Sequence, residues 1–243
     1  MKDNFSRNSD KYALYRPGYP EELFQYLKGL TTQKQRAWDC GTGNGQVASK
    51  LSEFMTEVYA TDISEQQLSQ AIKKANITYS KQPAESTNFP EKCFDLITIA
   101  QAIHWFNFQD FYKEVRRVLK PTGYIAVIGY GLFRCNLETE NIIDHLYRDI
   151  LGEYWDAERQ YLEGNYQGIP FPFREIKTPE FQLSEKWSFE HLTGYLNTWS
   201  AVKHYEKATG ENPVLFVREE LQRAFGQEGK VIFPTLFRVG MLR

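Results

Sequence analysis

Two acids and three alternating glycines carry the clearest chemistry in this sequence: Asp39-Cys40-Gly41-Thr42-Gly43-Asn44-Gly45, then a second acid at Asp62 in Val58-Tyr59-Ala60-Thr61-Asp62-Ile63. Glycine lacks a Cβ and accepts positive φ, so glycine at every other position of a turn lets backbone come close to a ligand. The run is not the dinucleotide fingerprint G-x-G-x-x-G, which seats a pyrophosphate on a helix N-terminus. A carboxylate at Asp39, directly ahead of the turn, repels a pyrophosphate and favours a cation such as an ammonium or a sulfonium. Asp62, at the end of an apolar run, can accept hydrogen bonds from both hydroxyls of a ribose, each charge-assisted bond being worth about 1.5–3 kcal/mol. Together these residues predict a nucleoside cofactor other than NAD.

His104-Trp105 is the sharpest catalytic candidate. Histidine titrates near neutral pH and can take a proton from a substrate hydroxyl, while an indole face stabilises a cation by about 0.5–2 kcal/mol. Ala100-Gln101 ends an apolar strand pattern, where ligands of open α/β sheets collect. His145, His191 and His204 lie far apart, and Cys40, Cys93 and Cys135 form no C-x-x-C pair, so neither a metal site nor a disulfide framework is predicted. A net charge of -2 over 243 residues lacks the basic bias of a nucleic-acid binder. The polar start and the absence of any long apolar run predict no membrane span and a cytoplasmic location.

The elements that position these residues follow from periodicity. A helix is expected over 20–29, strands over 36–39, 58–61, 77–80, 95–100 and 124–129, and a helix with Val47, Leu51 and Met55 after the glycine turn. Ser64 and Gln67 form a capping box for a helix presenting Leu68, Ala71, Ile72 and Ala75. Another helix starts near Asn107 and carries Phe111, Val115, Val118 and Leu119. Alternation of strand and helix predicts an α/β, doubly wound, mostly parallel sheet in one domain. After Gly131 the expectations are helices over 137–151 and 155–161, one strand or a hairpin over 175–187, a helix over 189–205 and a last strand over 231–242, with Pro234 at an edge or bulge.

Asp39-x-Gly41-x-Gly43-x-Gly45, Asp62 and Arg117-Val118-Leu119-Lys120-Pro121-Thr122-Gly123 together resemble class I S-adenosylmethionine-dependent methyltransferases. Tyr12-Ala13-Leu14-Tyr15-Arg16-Pro17-Gly18-Tyr19-Pro20, Ala84-Glu85 and Gln101-Ala102-Ile103-His104-Trp105-Phe106 are similar to the trans-aconitate methyltransferase type within the broad type 11 group. The resemblance implies a seven-stranded Rossmann-like sheet with core over 20–130 and 175–243, a cofactor-covering arm over 1–19 and a helical lid over 131–174. It implies that S-adenosylmethionine is bound by Arg16, Asp39, Gly41, Thr42, Gly43, Gly45, Asp62, Ile63, Ala84, Glu85, Ala100 and Gln101, leaving S-adenosylhomocysteine as product. Ala84-Glu85 would run along the adenine, although Pro83 stands where many relatives carry an acid or a serine. Tyr12, Tyr15, Tyr19, His104, Trp105 and Trp199 would face the acceptor. That acceptor would be a small molecule methylated on a carboxylate or hydroxyl oxygen, with Arg134, Arg148, Arg159 and Arg174 as cationic candidates in the lid. A non-catalytic sensor of the cofactor is the alternative, and a monomer or weak homodimer the expected assembly.

Overall fold

Behind the exposed Arg36, the other four residues of β1 (Arg36–Cys40) are buried, as a strand covered on both faces requires. The computed structural model, which describes residues 14–243, places β1 between two parallel neighbours, β2 (Glu57–Asp62) and β4 (Phe94–Ala100). β3 (Ile77–Lys81) extends the sheet beyond β2, and β5 (Leu119–Tyr130) beyond β4, again in parallel. β8 (Glu228–Met241) lies antiparallel to β5, and β6 (Arg174–Ile176) pairs with the end of β8. The seven strands run β3-β2-β1-β4-β5-β8-β6, and β7 (Gln182–Ser188) pairs with the first half of β8. Chain order reverses between β1 and β4, so the crevice for a ligand opens at their carboxyl ends.

Helices cover both faces. α1 (Glu21–Leu30) buries Leu23, Phe24 and Leu27, and α2 (Gln46–Leu51) starts directly from the glycine turn. α4 (Phe108–Val118) starts where the Asn107 side chain accepts the Asp110 N–H, and it buries Phe111, Val115 and Val118. The helix expected after Ser64 is shorter than its sequence pattern: α3 spans only Glu65–Ser69. Ile72 is 42% exposed because its N–H bonds to Asn44 O and its carbonyl accepts the Tyr79 hydroxyl, which ties this stretch to the glycine turn and to β3.

The second half departs further from expectation. α5 (Leu137–Asp144) continues as a wider π-helical run, His145–Ile150, but the next helix, α6 (Arg159–Glu163), starts four residues later than expected. Residues 175–187 form two strands that both pair with β8. The single helix expected over 189–205 is α7 (Phe189–Leu196) and α8 (Ser200–Thr209), broken at Asn197–Trp199. α9 (Arg218–Phe225) is a helix that the sequence pattern does not predict. Pro234, which has no N–H to give a ladder, sits where β8 passes from β7 to β5. Among the described residues no helix is long and apolar enough to cross a membrane.

Candidate active site

The turn after β1 places three glycines in the left-handed region, at φ 68° for Gly41, 56° for Gly43 and 82° for Gly45. A Cβ on Gly41 would lie 2.7 Å from that of Ala102, and one on Gly45 would lie 2.2 Å from the Tyr79 hydroxyl oxygen. The turn therefore favours glycine at these two positions, for space as well as for backbone angle.

Asp39 is buried and its bonds are internal. Oδ1 accepts the Thr98 hydroxyl at 2.7 Å; Oδ2 accepts the Thr42 hydroxyl at 2.5 Å and the Ala48 N–H at 3.1 Å. Burial outweighs these donors and pushes its pKa up to about 6. Asp39 thus shapes the turn while its charge remains at the cavity wall. Asp62 accepts the Gly43 N–H and the Ser64 N–H, both at 2.9 Å, and so ties the end of β2 to the glycine turn.

A cavity of about 850 Å³, partly open to solvent, lies at these strand ends. Asp39, Gly41, Thr42, Gly43, Asp62, Ile63, Ala100, Gln101, Trp105, Arg16 and Tyr19 line it, all of them singled out in the sequence. Asn44, Gln46, Ser64, Gln67, Ala102 and Tyr130 line it too, and none of these was expected as a binding residue. Ser64 and Gln67 carried a signal, since the residues that cap a helix following a strand end also face the crevice there.

A second cavity of about 510 Å³ shares Arg16, Gln101 and Trp105 with the first. His104, Trp199 and Ser200 line it, and the segment after β5 adds Trp155, Asp156, Arg159 and Leu162. His104 is buried, and burial, aided by the Arg159 charge, holds its pKa down at about 3. Arg159 is clamped: its Nε donates to the Tyr147 hydroxyl at 2.7 Å, that hydroxyl donates to Glu163 at 2.5 Å, and the guanidinium lies 4.8 Å from the Trp155 ring centroid. Arg16, between the cavities, donates from Nε to the Thr198 hydroxyl at 2.9 Å and sits over the Tyr195 ring.

Several candidates stand elsewhere. Tyr15 packs edge-on to His191, and a Cβ on Gly194 would meet its ring at 2.4 Å, so it belongs to the α7 contact rather than to either cavity lining. Ala84 is buried off the lining, and Glu85 accepts the Asn107 N–H at 3.1 Å ahead of α4. Gly45 shapes the turn from behind, against Tyr79. Tyr12 lies outside the described residues.

A family model described as a methyltransferase domain matches residues 38–127. A Dictyostelium discoideum protein provisionally named a methyltransferase is 30% identical over 227 residues, covering 92% of this chain and 86% of its own. The chain belongs to the class I S-adenosylmethionine-dependent methyltransferases. A solved structure from Anaeromyxobacter dehalogenans, provisionally named a type II methyltransferase, is 37% identical with a TM-score of 0.86, over 93% of this chain and 98% of that one. Phosphoethanolamine N-methyltransferase 2 of Haemonchus contortus, solved with phosphomonomethylethanolamine and S-adenosylhomocysteine, shares the fold at 19% identity and a TM-score of 0.50, over 98% of this chain and 57% of that one. The enzyme thus has the cofactor of its family, and its first cavity fits that cofactor. The glycine cradle admits close backbone approach, Asp62 stands at the strand end, and negative charge flanks the turn.

Proposed function

We propose that this methyltransferase transfers a methyl group to an oxygen of a small, anionic acceptor held in the second cavity while the cofactor occupies the first. The carrying observation is that the cavities meet at Arg16, Gln101 and Trp105, so a donor in one faces an acceptor in the other. S-adenosylmethionine, when bound, supplies its own electrophile, a methyl group on a sulfonium. The chain's task is then to align and to exclude water, and near-attack alignment supplies about 7–11 kcal/mol of a barrier.

In this reading the turn from Gly41 to Gly45 and the Asp62 carboxylate hold the nucleoside, with Ile63 beside them. Arg16 and Tyr19, from the arm, border the donor end, and Trp105 offers an indole face to a cation. The segment 131–174 acts as the acceptor-side lid through Trp155, Arg159 and Leu162. Two arginines against one aspartate favour an anionic acceptor, and the clamped Arg159 presents a planar fork suited to a carboxylate. This agrees with the resemblance to the trans-aconitate type, while the three indoles favour a flatter and less polar body.

Two measurements test the reading. S-adenosylhomocysteine at about 100 times its Kd should stabilise the protein by about 2.7 kcal/mol. Labelled methyl transfer to a panel of small organic acids should then show Arg159→Gln raising KM far more than it lowers kcat. Tight binding of S-adenosylhomocysteine with no transfer to any acid, amine or alcohol would instead favour a sensor.

A further inference from the structure

Nothing in the sequence marks Tyr166, yet it joins the acceptor-side segment to the ends of β4 and β5. It is fully buried and left-handed, at φ 59°, directly after a second left-handed residue, Asn165 at φ 51°. Such backbone is strained and persists only where packing holds it. Gly129 supplies the seat, since a Cβ there would lie 2.6 Å from the Tyr166 ring. The hydroxyl oxygen then reaches Gln101 Oε1 at 3.3 Å and His104 Nδ1 at 3.3 Å.

One proton must serve this junction, and the amide decides where it goes. Gln101 Nε2 donates to Tyr130 O at 3.1 Å, and a carbonyl only accepts, so the amide orientation is fixed with Oε1 toward Tyr166. Oε1 also only accepts, so the Tyr166 hydroxyl must donate to it. Having given its single proton, the Tyr166 oxygen can only accept from His104, which requires hydrogen on Nδ1. The opposite arrangement would face two lone-pair oxygens across 3.3 Å without a proton between them.

We propose that Tyr166 is a positioning residue that fixes His104 in the tautomer protonated on Nδ1, so that a bare Nε2 faces the acceptor cavity and the acceptor brings an O–H to it. This deepens the proposed function and rests on it for the acceptor, though not for the tautomer. A bare nitrogen repels a carboxylate oxygen, so the reacting atom is a protic one and any carboxylate of the acceptor belongs to Arg159. As the acceptor's lone pair forms the bond to methyl carbon, the carbon–sulfur pair leaves with sulfur as a neutral thioether. The proton passes to Nε2, and from that weakly basic nitrogen to water.

Two-bond proton–nitrogen NMR spectra of the full chain labelled with [15N]histidine read the tautomer directly. The protein has four histidines, and His104→Gln assigns the signal. The wild type should show a protonated Nδ1 and a bare Nε2. Tyr166→Phe should abolish that preference, and Gln101→Met, which removes the competing acceptor, should invert it by releasing the Tyr166 proton to Nδ1. The Gln101 variant keeps the tyrosine in place and serves if Tyr166→Phe does not fold. A wild-type Nε2–H, or an unchanged pattern in the folded variants, overturns the assignment. For the acceptor, label transferred to a deproteinised metabolite extract should survive mild alkali, as in a methyl ether. Label lost as methanol marks an ester and overturns the protic acceptor. Loss of the S-adenosylhomocysteine shift with the tautomer intact would defeat the proposed function alone.

Discussion

Asp62 accepts two backbone N–H groups, so its substitution acts on the turn as well as on the ribose it is proposed to hold. Asp62→Asn should weaken S-adenosylhomocysteine by about 1.5–3 kcal/mol, roughly 10–150-fold in Kd, as charge-assisted bonds are lost. Calorimetric titration checks this. Gly45 makes a different demand, because its obstacle is Tyr79, itself held by a 2.6 Å bond to Ile72 O. Gly45→Ala should destabilise the protein by about 1–3 kcal/mol through left-handed strain and that clash. Adding Tyr79→Phe removes the hydroxyl contact but not the strain, so urea unfolding should show partial recovery in the double variant. Full recovery would mean that strain contributes nothing.

Among the elements, α4 anchors the loop between β3 and β4. Glu114, buried, accepts the Thr87 N–H at 2.9 Å and the Arg117 Nη2–H at 2.6 Å, while Arg117 Nη1 donates to Phe89 O at 2.6 Å. Arg117→Ala strands a buried carboxylate that keeps its Thr87 donors, and should cost about 2–4 kcal/mol. Faster amide exchange at Thr87–Phe89 than at β4 would locate the damage, whereas uniform loss of protection would contradict a local clamp. The parallel half of the fold was legible because its signals are local: apolar runs for β2 and β4, a cap at Ser64, glycines spaced by two. Arg159, Trp155 and Tyr166 were not legible as a group, since long-range seating places them, such as Gly129 under Tyr166 and Arg238 Nη1 on Tyr166 O at 3.1 Å. α9 buries only Leu221 and Phe225 and has no side-chain cap, too thin a pattern to read. The pattern over 189–205 hid its break because Trp199 is buried at the interruption as if the helix ran on.

For the whole molecule, two buried groups bend the pH dependence of stability in opposite senses. His104 falls from 6.5 to about 3 on folding, so its contribution is present above 6.5 and lost as pH falls toward 3. Asp39 rises from 3.8 to about 6, so its contribution is present below 3.8 and lost as pH rises toward 6. Between about pH 4 and 6 the two slopes, each up to about 1.4 kcal/mol per pH unit, oppose one another. His104→Gln removes one of them. The stability of wild type relative to His104→Gln should therefore fall by about 1.4 kcal/mol per unit as pH drops below 6.5, measured by denaturant unfolding at pH 7, 6 and 5. A constant difference would show that His104 titrates normally. One strand sets a further constraint, on the order of events during synthesis. β8 pairs with β5, β6 and β7, yet it follows all of them in the chain. Until a ribosome has delivered Glu228–Met241, the parallel half can assemble but β5 keeps an open edge, and an open edge recruits other strands. A nascent chain stalled before Glu228 should consequently be rich in helper chaperones and prone to aggregate, and slowing translation there would cost yield without altering a single residue of the finished enzyme.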